Sequence, residues 1–246
     1  MNNKNIYYFI GFAILLITIA YIAKFFPLYG SNLSSDTAVW GQFGDYVGGT
    51  LNPILSSLSV ILLIKSVTLQ TEANKDLKKE LKNNEKSENF RSFNDLFFNM
   101  IESQKSSFRD FKIYAYCDEK IVEKSGSIAV SYIEEEIEKL REANASEKVI
   151  GEFLEELDYD DKIFGILRMF YVTVKATCDK LCENNGFEPS EASEQIINLV
   201  NFTEFSHLRL IVIGVQFLNY KSCKYLKEND LFISSLSEVG LALDLY

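Results

Sequence analysis

At 246 residues, with 47% hydrophobic residues and only 3 prolines, the chain is too apolar for a disordered tail and long enough for one packed domain. Its net charge of −10 opposes a broad nucleic-acid-binding face, because an acidic surface repels phosphates. The excess is local: residues 118–161 hold 15 acidic and 5 basic side chains, an imbalance equal to that of the whole chain.

Two uncharged apolar runs come first, Ile6–Ala23 and Tyr46–Ile64. Each approaches the ~20 helical residues that cross ~30 Å of hydrocarbon. The first is longer than a secretory signal core, and no A-x-A-like cleavage site follows it. Lys24 can snorkel to the headgroups, and Tyr7, Tyr8 and Tyr21 suit an interfacial belt. The pattern predicts a transmembrane hairpin over residues 1–70, with spans at about 6–26 and 46–66. The external loop, 27–45, contains Pro27, Gly30, Ser31 and Asn32. No basic residue lies between Lys24 and the end of the second run, whereas Lys65, Lys75, Lys78, Lys79, Lys82, Lys86 and Arg91 follow it. With Lys4 near the start, the positive-inside rule predicts a multi-pass membrane protein, its N-terminus and C-terminal domain in the cytoplasm. Cys117, Cys178, Cys182 and Cys223 all follow the second span and are expected as reduced thiols.

The second span carries Gly48, Asn52, Ser56, Ser59 and Ser66 at near-helical intervals, a stripe of small or polar groups. Gly44 and Gly48 form a G-x-x-x-G pair, Gly49 adjoins them, and Pro53 is expected to bend the first turns. Hydrocarbon satisfies no polar group, so the stripe must face a helix or water. Two readings stay open: close packing against the first span or a second copy, or several copies lining a hydrated path. Both fit a homo-oligomer in the lipid bilayer, disrupted by bulk at Gly48 or Ser56.

Residues 71–112 read as a juxtamembrane helix, with Leu77, Leu81, Phe90, Phe93, Phe97, Met100 and Ile101 at three- and four-residue steps. Residues 113–246 read as a helical domain. Helices are expected at Ser131–Ala143 (Ile133, Ile137 and Leu140 on one face), Val149–Leu157 and Lys162–Cys182. Another runs from a Ser190 cap to about Phe202, and an apolar one covers Leu208–Leu226. The apolar centre of the last, Leu210–Leu218, is too short to cross a bilayer and belongs to a bundle core. Leu231–Tyr246 is ambiguous. Alternating strand patterning is nearly absent, so the fold class is all-α: a transmembrane hairpin, a helical stalk and a helical bundle.

No catalytic constellation emerges. The single histidine, His207, sits beside Arg209 at a helix start, with no nucleophile in a G-x-S-x-G context. Cys178 and Cys182 lack the second pair that a zinc site needs, and Asp158, Asp160 and Asp161 lack the Gly and terminal Glu of a calcium loop. No phosphate-binding glycine loop is present. The expectation is a non-enzymatic protein with no cofactor and no metal.

The segment Trp40-Gly41-x-Phe43-Gly44-Asp45-x-x-Gly48-Gly49-x-Leu51-Asn52-Pro53-x-Leu55-Ser56 resembles the signature of the bacterial phage abortive infection family. The similarity continues loosely through Phe93-Asn94-x-Leu96-Phe97-x-Asn99-Met100 and Phe202–Asn219. The family's arginine after the acidic section corresponds to Arg168, with the surrounding aromatics shifted. The resemblance implies a two-span antiphage effector that arrests or kills the infected cell. It is also similar to the toxic two-span effectors encoded beside retron reverse transcriptases. That similarity implies a partner complex of reverse transcriptase and non-coding RNA that holds the effector silent. Arg168, His207 and Arg209 are then the candidate signal-receiving residues, and direct nucleic-acid binding is not expected. Two alternatives stand beside it: a membrane-anchored sensor or scaffold that recruits another toxin, and a membrane-tethered nuclease using His207, Arg209 or the acidic cluster.

Overall fold

The computed structural model describes residues 3–29, 36–117 and 120–246, without the side chains at 3–7, 9, 24–29 and 117. Gly30, Ser31, Asn32 and Asp118 fall outside the described residues, as do the side chains of Lys4, Tyr7, Lys24, Pro27 and Cys117. Contacts divide the chain into two compact units, Met1–Glu80 and Leu81–Tyr246.

The first unit holds helix α1, Asn3–Tyr29, and the start of α2, which runs unbroken over Thr37–Arg109. Helix α2 begins nine residues before the expected second span. The Asp36 carboxylate accepts the Ala38 N–H at 2.9 Å, so Thr37–Asp45 is helix and not loop. Pro53 lies inside this helix without ending it. An 18-residue stretch of α2 reaches a mean hydropathy of 1.8 with none of it buried. It is long and apolar enough to cross a membrane. In α1 the described apolar stretch, Ile10–Ala23, is shorter than a crossing.

In the second unit the late turns of α2 enter a core. Phe93, Phe97, Ile101 and Phe108 are buried, whereas Leu77 and Leu81, on the same periodic pattern, are exposed. The difference lies in what surrounds them: among the described residues the hydrophobic core takes in α2 from Phe90 onward. A two-stranded antiparallel hairpin follows, β1 (Lys112–Cys117) and β2 (Lys120–Ser125), in register from Lys112 opposite Ser125 to Cys117 opposite Lys120. This is the one departure from all-helical structure among the described residues. Ile113 and Ala115 turn inward while Tyr114 and Tyr116 stay exposed, the period-two pattern of a half-buried strand.

The remaining helices are α3 (Gly126–Glu142), α4 (Glu147–Leu157), α5 (Lys162–Lys180), α6 (Pro189–Phe202), α7 (Phe205–Phe217), α8 (Lys221–Lys227) and α9 (Asp230–Glu238). Helix α7 is central, packing on α3, α4, α5 and α8. Its residues from Ser206 to Val215, except Arg209, are buried. The apolar run expected as one helix to Leu226 breaks at Leu218–Tyr220, giving α7 and α8. Helix α6 is capped by Glu188, not Ser190: the Glu188 N–H donates to the Glu191 carboxylate at 2.7 Å, and Pro189 takes the first helical position. Close approaches fix the packing. A Cβ on Gly214 would lie 2.6 Å from Leu167, and one on Gly151 would lie 2.8 Å from the Phe217 carbonyl oxygen.

Candidate functional site

The small and polar stripe of α2 is open. Gly44, Gly49, Asn52, Pro53, Ser56 and Ser59 are exposed and Gly48 is half-buried. The contact with α1 lies elsewhere: the Tyr21 ring meets Phe43 at 4.6 Å and Tyr46 at 5.5 Å. At roughly 3.6 residues per turn, Phe43 and Tyr46 lie on about the opposite side of α2 from Gly44, Gly48, Asn52 and Ser59. Among the described residues, the ring contacts of α1 with α2 fall on that other side. Trp40 packs edge-on to Phe43 at 6.5 Å, and Asp45 is exposed. Trp40, Phe43 and Asp45 lie in the first turns of the helix.

Several hydroxyls along α2 bond back to its own carbonyls. Thr50, Ser59 and Thr68 donate to the carbonyls of Tyr46, Leu55 and Ile64 at 2.7, 2.8 and 2.9 Å. The Asn52 carboxamide makes no side-chain hydrogen bond among the described residues, and its Nδ2 lies 3.8 Å from where a Gly48 Cβ would be. The glycine leaves this amide uncovered and within reach of an approaching helix.

In the second unit the three candidate signal-receiving residues are not brought together. Arg168 is exposed on α5 and lines a shallow groove with Met100 and Val172. Arg209 is engaged in a structural pair: its Nη1 donates to Glu134 of α3 at 2.5 Å, and Glu134 also accepts the Tyr246 hydroxyl. His207 is 2% exposed and stacks flat on Phe108, ring centroids 4.6 Å apart. Burial lowers its pKa to about 4, so the ring is neutral at physiological pH. Its Nε2 is buried with no hydrogen-bond partner. Such an orphan ordinarily costs about 1–3 kcal/mol.

His207 also lines a surface hollow of about 590 Å³ where α2 ends, α3 begins and α6 turns into α7. Two basic residues of α2, Lys105 and Arg109, form one wall, and Glu204 contributes a carboxylate. Sequence reasoning passed over this hollow. The available signal was Gly126-Ser127, a helix start with no acidic residue in its first turn, but its proximity to Arg109 is tertiary.

The other sequence candidates are structural. Asp158 accepts the N–H groups of Ile163 and Phe164 at 2.7 and 2.8 Å and caps α5; burial outweighs these bonds and raises its pKa. Cys178 accepts from Asn229 Nδ2 at 3.6 Å, the Cys182 thiol points to the Asp179 carbonyl, and Cys223 is buried. Among the described residues no three His, Cys, Asp or Glu side chains cluster as a metal site.

No protein-family model, curated protein or solved structure matches the chain.

Proposed function

We propose that the protein is a non-enzymatic effector of the bacterial inner membrane, acting in antiphage defence by abortive infection. In this reading α1 and the first part of α2 form a two-span hairpin with both ends in the cytoplasm. The lysines after Ile64 and the absence of basic residues between Lys24 and that point support this orientation. The observation that carries the reading is the stripe of half-buried Gly48 and exposed Asn52 and Ser56 on an unburied apolar stretch, with an amide that makes no side-chain hydrogen bond among the described residues. In hydrocarbon such an amide is costly and pairs across helices, so copies associate through this face. A signal received by the helical domain reorganises the assembly through α2, and the stripe compromises the membrane. Defence, rather than another membrane role, rests on the resemblance of Trp40–Ser56 alone.

The test is to induce the protein in cells and follow membrane potential with a voltage-sensitive dye. Depolarisation that precedes growth arrest is expected. Arrest at unchanged potential overturns the permeation step and leaves the anchored scaffold that recruits another toxin. In that case an unrelated two-span hairpin in place of residues 1–70 preserves defence.

A further inference from the structure

We infer that the hollow at the end of α2 binds a phosphoryl group. Three independent features converge there. Arg109 has no ion-pair partner among the described residues, and Lys105 holds only an exposed contact with Glu102 at 3.4 Å, which an incoming anion displaces readily. Opposite them, α3 begins with its N–H groups uncapped. The Ser125 side chain makes no cap bond, and Gly126, at φ 53, spends its N–H on the Phe111 carbonyl at 2.9 Å. Helix geometry leaves the N–H groups of Ser127 and Ile128 without an intrahelical acceptor, at the positive end of a 17-residue helix. The third feature is His207, a buried ring on the wall of the same hollow with an unpartnered Nε2.

Two cations, free helix N–H groups and a neutral ring suit a small oxyanion with several acceptor oxygens better than a carboxylate or an apolar group. Glu204 opposes this, but its Oε1 is already engaged by the Ser206 hydroxyl at 2.7 Å, and the wall keeps a net positive charge in a chain of net charge −10. The phosphoryl group can arrive free or on a lipid headgroup; the chemistry of capture is the same. The inference holds independently of the membrane reading.

His207 is the single histidine, so its ring nitrogens report on the hollow without assignment. The full chain is labelled with 15N-histidine, held in an uncharged detergent at neutral pH, and titrated with inorganic phosphate. A saturable shift of the His207 nitrogens is expected, weakened at least roughly tenfold by Arg109→Gln and strengthened by Glu204→Gln. If free phosphate gives no shift but transfer to phosphatidylglycerol nanodiscs does, and Arg109→Gln abolishes it, the group is a headgroup and the inference stands. It is overturned if neither probe shifts the resonances, if chloride at matched ionic strength does the same, or if Arg109→Gln leaves the shift unchanged. The spectrum of each variant without phosphate shows that the ring's surroundings are intact.

Discussion

His207 shows how burial overrides the ordinary chemistry of a side chain. Flat against Phe108 and 2% exposed, the ring resists protonation down to about pH 4, whereas the unfolded chain takes up the proton near 6.5. Above pH 6.5 both states are neutral and stability is unaffected. As pH falls below that value the unfolded state binds the proton first, so stability declines until about pH 4, by up to roughly 3 kcal/mol. Thermal melts between pH 7 and 5 should show this decline in the wild type and a flatter profile in His207→Phe. Arg209 behaves differently, because its guanidinium is paired. Arg209→Ala leaves the half-buried Glu134 carboxylate with only Tyr246, and a loss of about 1–3 kcal/mol is expected in chemical denaturation. Side by side in sequence, the two residues look like one site. In the fold one fills a core and the other clamps α3 to α7.

At the scale of elements, α2 joins two kinds of surface on one helix. Its first half presents an apolar stretch with a glycine and amide stripe, and its last turns bury four aromatic and aliphatic side chains. If the stripe joins copies, Asn52→Leu and Gly48→Leu should both shift cross-linked oligomers toward monomer in membranes, each by roughly tenfold or less. Among the described residues only the Asn52 side chain lies within 4 Å of a Cβ at position 48, and the Asn52 amide has no side-chain hydrogen bond to lose, so insertion should persist. Unchanged cross-linking in both would remove the stripe as the contact. Helix α7 makes the opposite case. Gly214→Val drives atoms into Leu167, already fully buried, and should cost about 1–3 kcal/mol and several degrees of Tm. The β1–β2 hairpin went unread although Lys112–Cys117 and Lys120–Ser125 are rich in Ile, Tyr and Val and separated by two residues. Each run is only six residues long, and an acidic helix-like composition follows directly.

For the molecule as a whole, the division at Glu80 separates an apolar unit from one with its own core. The full chain should remain in the pellet after carbonate extraction, and a chain lacking residues 1–80 should appear in the supernatant. A full-length chain in the supernatant would overturn the membrane reading. The global charge of −10 and the cationic hollow are compatible, because the acidic excess is gathered in residues 118–161 while Lys105 and Arg109 belong to α2.

Periodicity alone was enough to read the helical class, the apolar stretch of α2, the inward face of α3 and most of the buried centre Leu210–Leu218. These depend on local spacing and on the cost of leaving apolar surface in water. Capping was not legible: the Ser190 cap gave way to Glu188 because Pro189 suits the first helical position, and the Asp158 bonds to α5 appear only in the structure. Tertiary packing alone decided that the Tyr21 ring meets Phe43 and Tyr46, that the apolar run breaks at Leu218, and that Arg109, Ser127 and His207 meet at one hollow. Each of these joins residues distant along the chain or depends on what surrounds a side chain, and no local pattern encodes that.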